Sequence, residues 1–230
     1  MNPNFTFLIS YIANRPHLEA CLNSIRKFYP KANIIISQDD TDFPIDDMGE
    51  NVIYHKMRDT GSWADCCIGL MNACKTDIGV FMEHDCLLLK PIDDLIEKLD
   101  TYDLIGIEDK LDDIRNSPNF AAQNFFILNV KKFKEGGVER VRVNAEPLRS
   151  LNMQNIESAY GITQNSHNIL FLPTKKSGYG KGTFYGDYIH HMWFGSYQIR
   201  TIEEDGVDRE LLWLEEQRLL DDYYLNKLCV

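Results

Sequence analysis

The chain lacks an excess of positive charge. Its 230 residues include 24 lysines and arginines and 35 aspartates and glutamates, which gives a formal net charge of −11. A protein that binds duplex nucleic acid normally carries a basic face that replaces the phosphate counterions. Because the field of this chain repels a polyanion, we exclude nucleic acid as its main partner. A diphosphate ligand would need local help, for which a divalent cation is the obvious candidate.

The chain also lacks paired-cysteine motifs and long apolar runs. None of its six cysteines forms a Cys-x-x-Cys pair, which argues against a zinc knuckle or a thioredoxin-like site. We expect buried free thiols in a reducing compartment and hence a cytoplasmic protein. The N-terminal apolar stretch, 5–13, is too short to span a bilayer and follows no basic segment, so we expect no transmembrane segment.

Short apolar runs alternate with helical patterns in the first half. The predicted strands are 5–12, 32–37, 52–55, 78–82 and 102–107. Helices are predicted after residue 14, after 60–62 and from 91. This spacing predicts an α/β fold with a mostly parallel sheet and helices on both faces. Without a linker or repeat, the chain reads as one domain, 1–230.

The second half is less regular. A strand is predicted at 123–130, a short helix after it, and an amphipathic helix at 208–228. Residues 177–186 contain four glycines and predict a mobile loop. Lys181 in this segment is a candidate for neutralising a diphosphate, with a plain surface loop as the alternative.

Two strands run directly into acidic residues. The strand ending at 82 leads into Glu83-His84-Asp85, and the strand ending at 37 leads into Asp39 and Asp40. Ligands of open α/β sheets bind outside the carboxyl ends of the strands. Carboxylates there can hold Mg²⁺ or Mn²⁺ or accept from a nucleobase or ribose. Taken singly, each segment fits a solvated or capped turn as well.

Together and in this order, these segments resemble the GT-A glycosyltransferases, especially their family-2-like members. In that family a loop after the first strand covers the nucleobase, the second strand ends in an Asp that contacts uracil or ribose, and the fourth enters a D-x-D metal motif. Here Glu83 replaces the first Asp, which makes Asp85 the more secure ligand. The positions that the resemblance implies for nucleotide-sugar binding are Tyr11, Arg15, Asp39, Asp40, Arg58 and Glu83.

A histidine pair extends the resemblance, because many metal-dependent GT-A enzymes supply a late histidine to the metal or the diphosphate. His190 and His191 would face opposite sides of an extended run. We favour His191 as a metal ligand beside Asp85 and Glu83. One packed and one exposed histidine is the alternative.

Transfer with inversion of configuration also requires a base for the acceptor hydroxyl. In inverting members of the family this base is an acidic residue at the start of a helix in the second half. Glu157 is the best match. A surface carboxylate in a first helical turn is the alternative, and a retaining enzyme would need no such base.

The resemblance implies a metal-dependent enzyme that moves a sugar from a nucleoside-diphosphate donor, with a UDP-sugar favoured, to a hydroxyl of a glycan or another acceptor. Residues 1–110 would bind the donor and residues 111–230 the acceptor. One alternative is a nucleotidyltransferase of related fold, although the usual glycine-rich phosphate loop is missing at Ala13-Asn14-Arg15-Pro16. The other is a non-catalytic nucleotide-sugar-binding module, which turnover would distinguish from an enzyme.

Overall fold

The computed structural model describes residues 4–11, 15–38, 48–56, 63–109, 120–135, 162–163, 168–176 and 182–192. The helices are α1 (Arg15–Phe28), α2 (Trp63–Ala73), α3 (Asp93–Glu97), which a 3-10 turn at Lys98–Asp100 follows, and α4 (Val130–Glu135). The strands are β1 (Phe5–Tyr11), β2 (Asn33–Gln38), β3 (Val52–Lys56), β4 (Ile78–Glu83), β5 (Cys86–Leu88), β6 (Leu104–Asp109), β7 (Phe120–Asn129), β8 (Ile162–Thr163), β9 (Ile169–Leu172), β10 (Thr174–Lys176), β11 (Thr183–Tyr185) and β12 (Ile189–His191).

The larger sheet has the strand order β3-β2-β1-β4-β7-β6-β9, and β8 pairs with β7. Strands β3, β2, β1 and β4 are parallel to one another, as are β6 and β9. Strand β7 runs antiparallel to β4, β6 and β8. The predicted α/β class with a mostly parallel sheet is therefore confirmed, and the antiparallel β7 is the feature that the apolar pattern did not indicate.

Helices cover both faces of this sheet because alternate residues of its strands point to opposite sides. Phe7 and Ile9 of β1 belong to the same buried cluster as the apolar face of α1. Leu8, between them, belongs to a second cluster that contains Leu70 and Met71 of α2. The near-continuous apolar sequence of β1 is the pattern expected of a strand that is buried on both faces.

A smaller antiparallel sheet has the order β10-β11-β12-β5. The prediction of a loop over 177–186 is therefore wrong for its last part, because 183–185 form β11. This strand pairs with β10 on one side and β12 on the other. Gly186 follows with φ of 54°, the left-handed conformation that favours glycine, and begins the turn to β12. This sheet matters for the site because β5 follows β4 almost directly.

The cysteines of the described ranges, which are Cys21, Cys66, Cys67, Cys74 and Cys86, are free thiols. Within the same ranges, no helix has the length and apolar character needed to cross a membrane. The helix predicted at 208–228 lies outside the described residues.

Candidate metal centre

The site is built where β4 ends. Ser10 of β1 pairs with Glu83, the last residue of β4, and its carbonyl oxygen then accepts from the backbone N–H of His84 at 3.1 Å. The chain turns at His84 and Asp85 and enters β5 at Cys86. Asp85 is only 4% exposed, which excludes the solvated turn that we considered as the alternative for this residue.

Strand β12 brings His191 to this turn. His191 pairs with Cys86 across the smaller sheet, and the backbone N–H of Met192 donates to the carbonyl oxygen of Asp85 at 3.0 Å. Nε2 of His191 consequently lies 3.3 Å from Oδ1 of Asp85 and 3.4 Å from Oε2 of Glu83. The three residues of the predicted metal set are thus neighbours in the fold.

The two histidines of the pair have different surroundings. The hydroxyl of Tyr185 and Nδ1 of His191 share a hydrogen bond, which leaves Nε2 directed at the carboxylates. The ring of His190 packs against Phe184 instead, with the ring centroids 4.8 Å apart. Both histidines are buried, so the packed-and-exposed alternative does not describe them.

The electrostatics of this cluster favour a positive charge between the carboxylates. Burial alone would lower the pKa of His191, but the charges and hydrogen bonds of Asp85 and Glu83 raise it to about 9. Without a cation, the imidazole therefore holds a proton that balances the two acidic side chains. A divalent cation bound between the same donor atoms would supply the compensating charge in its place.

Two residues of the site, Asn124 and Cys86, were not predicted from the sequence. Asn124 of β7 donates from Nδ2 to Oε2 of Glu83 at 2.7 Å and so orients that carboxylate. The backbone carbonyl oxygen of Asn124 accepts from the thiol of Cys86 at 3.5 Å. The sequence offered no signal for Asn124, because it stands within an apolar strand 41 residues from its partner.

Cys86 was interpreted only as a buried thiol. Its Sγ, a carboxylate oxygen of Asp85 and a ring nitrogen of His191 all lie within 4.8 Å of one another, and all three residues are buried. Burial raises the pKa of Cys86 well above its ordinary value, so the group is a neutral thiol when no metal is bound. Its position next to Asp85 in the sequence was the available signal.

Tyr11 and Arg15 flank this site on the side of β1. The ring of Tyr11 is buried and meets the ring of His84 edge-on, with centroids 5.3 Å apart. Burial raises the pKa of the Tyr11 phenol. Arg15, at the exposed start of α1, donates to Glu19 at 2.7 Å. Tyr11 therefore forms a wall of the site, whereas the guanidinium of Arg15 is exposed to solvent.

A further buried histidine belongs to the same region. His17 of α1 is fully buried, and burial lowers its pKa to about 4 although the charge of Asp85 acts in the opposite direction. His17 is consequently neutral at pH 7 and adds no positive charge that would compete with a bound cation.

The other predicted site residues lie outside the described ranges. They are Asp39, Asp40, Arg58, Glu157 and Lys181. Strand β2 ends at Gln38, which pairs with Tyr11 at the same edge of the sheet as Glu83. The roles of these five residues stay predictions.

Comparison with known proteins gives the fold. No protein-family model matches the chain, and no curated protein sequence does. Among solved structures, the galactosyltransferase LgtC in complex with donor and acceptor sugar analogues is 11% identical, with a TM-score of 0.52 over 73% of each chain. TarS of S. aureus is 12% identical, with a TM-score of 0.53 over 97% of this chain and 40% of its own. The chain therefore has the GT-A-like α/β fold of these glycosyltransferases.

Proposed function

We propose that this chain is a glycosyltransferase that moves a sugar from a nucleoside-diphosphate donor, with a UDP-sugar favoured, to a hydroxyl of a glycan or another acceptor. The observation that carries the proposal is the convergence of Glu83, Asp85 and His191 at the carboxyl end of β4. Ligands of open α/β sheets bind at this edge. The GT-A-like fold supports the choice of reaction.

We propose Mn²⁺ or Mg²⁺ as the ion at this edge. Two ligand atoms that each bind an ion at about 2.0–2.1 Å, at right angles to one another, lie roughly 3 Å apart. The distance between Oδ1 of Asp85 and Nε2 of His191 is close to this value, at 3.3 Å. Carboxylates suit both ions, and the imidazole suits a transition metal such as Mn²⁺. Glu83, Asp85 and His191 would hold the ion, and the chemistry it would supply there is neutralisation of the charge that develops on the leaving diphosphate.

The remaining predicted residues take roles around this centre in the proposal. Asp39 and Asp40 would accept from the nucleobase or ribose, and Glu157 would take the proton of the acceptor hydroxyl so that configuration inverts. The single domain, 1–230, would divide into a donor half at about 1–110 and an acceptor half at about 111–230. The other residues that we assign to binding of the nucleotide-sugar are Tyr11, Arg15, Arg58 and Lys181.

Nucleotide binding tests the proposal first. UDP with Mn²⁺ at about a hundred times its dissociation constant should add roughly 2.7 kcal/mol to the free energy of unfolding, because only the folded chain binds it. For a chain of this size we expect the melting temperature to rise by roughly 5 to 10 °C. GDP and dTDP with Mn²⁺, and UDP without metal, are the comparisons. An unchanged melting temperature with every nucleoside diphosphate plus metal would refute the proposal.

Asn124 gives a prediction for the metal itself. Asn124→Ala removes the donor that holds Oε2 of Glu83, and loss of such an outer partner typically weakens metal binding about 10- to 100-fold. Titration of Mn²⁺ followed by electron paramagnetic resonance measures this change. Asn129→Ala is the matched control, because Asn129 lies at the other end of β7 and accepts from the backbone of Lys132. Equal affinities of the two variants would contradict the role of Asn124.

A further inference from the structure

The carboxylate and imidazole of the metal centre have a sulfur neighbour. Asp85, Cys86 and His191 present one donor atom each, of three different kinds, and these atoms lie within 4.8 Å of one another. The cross-strand pairing of Cys86 with His191 positions the sulfur and the ring nitrogen, and the buried turn at Asp85 positions the carboxylate oxygen. Such a mixture of sulfur, nitrogen and oxygen donors is not what a site for Mg²⁺ alone requires.

The spacing is compatible with a tetrahedral ion. Zinc binds sulfur at about 2.3 Å and nitrogen or oxygen at about 2.0–2.2 Å, so neighbouring donors lie roughly 3.3–3.7 Å apart. The separation between Oδ1 of Asp85 and Nε2 of His191 is already 3.3 Å. The thiol of Cys86 must approach by no more than roughly 1.5 Å to complete such an edge. Three protein donors leave a fourth position for water.

We propose that Asp85, Cys86 and His191 form a thiophilic coordination set that takes Zn²⁺ or Cd²⁺ and, because it shares Asp85 and His191 with the Mn²⁺ set, excludes Mn²⁺ from the centre. The two sets differ in their third donor, which is Glu83 for the hard ion and Cys86 for the soft one. The exclusion of Mn²⁺ rests on the proposed function, whereas the binding of the soft ion does not. Zinc would accordingly act as an inhibitor of transfer.

Binding of the soft ion involves no redox step. As the sulfur–metal bond forms, the thiol of Cys86 releases its proton to solvent and its hydrogen bond to the carbonyl of Asn124 breaks. At the metal-free centre, His191 also gives up the proton on Nε2. Where Mn²⁺ is displaced, that ion leaves to solvent and Nε2 carries no proton to release. No oxidant or reductant is consumed in either case. The positive charge of the metal ion then neutralises the Asp85 carboxylate and the new thiolate.

Cadmium is the direct probe, because a thiolate bound to Cd²⁺ gives an ultraviolet charge-transfer band. Addition of cadmium chloride to the metal-free full chain, without nucleotide, should produce this band. Cys86→Ser should lose it, and Cys74→Ser should keep it. Cys74 is the matched control because it is also a buried thiol but donates to the backbone around Thr76 on the other face of the sheet. A band that is absent from the wild type, or equal in Cys86→Ser, would overturn the inference.

Two measurements on the wild type keep the test independent of how the variant folds. The ¹¹³Cd resonance should have the shift of one sulfur ligand with nitrogen and oxygen, and a shift without sulfur would overturn the inference. One equivalent of zinc chloride should release bound Mn²⁺ as the free-ion paramagnetic signal. Stabilisation by UDP with Mn²⁺ but no sulfur–cadmium band would reject this inference alone. The band without any nucleotide effect would instead reject the proposed function and retain the soft-metal site.

Discussion

Asp85→Asn should reduce sugar transfer by roughly a thousand-fold or more, because the ion that we propose it holds would supply several kcal/mol of transition-state stabilisation. Asparagine keeps the size of the side chain but loses the negative charge that lies 3.3 Å from His191. Glu83 remains 3.4 Å from the same ring nitrogen, so we expect the variant to fold. Initial rates with a UDP-sugar at several Mn²⁺ concentrations measure the effect, and the melting temperature reports the fold.

Asp77→Asn is the matched control for this substitution. Asp77 is an exposed carboxylate that immediately precedes β4, at the end of the strand opposite the site, so its variant should transfer at the wild-type rate. Glu83→Gln should cost less than Asp85→Asn, because Glu83 is more exposed and its oxygen is shared with Asn124. Near-normal transfer by Asp85→Asn at saturating metal would count decisively against its role.

Glu157→Gln should lower turnover by about 10² to 10⁴ while donor affinity stays unchanged, since general-base catalysis typically contributes that factor. An inverting reaction needs the acceptor hydroxyl to lose its proton as the anomeric carbon is attacked from the face opposite the diphosphate. Glutamine keeps the shape of the side chain and removes its basicity. The product anomer, determined by nuclear magnetic resonance, should be inverted relative to the donor.

Product stereochemistry and two further variants give this prediction its controls. Glu146→Gln and Asp187→Asn should leave turnover within a few-fold of the wild type. Asp187 is exposed in the turn between β11 and β12. A product of retained configuration, or a Glu157→Gln enzyme with near-normal turnover, would show that Glu157 is not the base. A large loss in Asp187→Asn or Glu146→Gln would then identify its replacement.

The first half of the fold was predictable because its central strands, such as β1 and β2, are buried on both faces. Continuous apolar runs such as Ile34-Ile35-Ile36 and the helical spacing between them indicate a parallel sheet covered on both sides. The direction of β7 was not predictable, since the same apolar pattern suits a parallel or an antiparallel strand in the centre of a sheet. Strand β11 was missed because the four glycines of 177–186 dominated the local pattern, and its pairing with 174–176 and 189–191 is visible only in the fold.

Residues of the site were predictable only where polar side chains lie at the end of a recognisable strand or within it. Glu83 and Asp85 were found because two carboxylates end a buried strand, and His191 because alternation separates it from His190. The antiparallel pairing of His191 with Cys86 then brings these positions together across about a hundred residues of sequence. Asn124 could not be found in this way, since its hydrogen bond to Glu83 depends on the position of β7 beside β4.

Release of nucleoside diphosphate from a nucleotide-sugar is the decisive test of the proposed glycosyltransferase activity. UDP-, GDP- and dTDP-sugars would be incubated with the protein, with and without Mn²⁺, and free nucleoside diphosphate would be quantified by chromatography. We predict release from one of them, with the UDP-sugar favoured, that requires both the protein and the metal and stops on addition of a chelator. Binding of a nucleotide-sugar without release would instead identify a binding module. Release of pyrophosphate from a nucleoside triphosphate and a sugar phosphate would identify a nucleotidyltransferase. Either result would contradict the proposed glycosyltransferase activity.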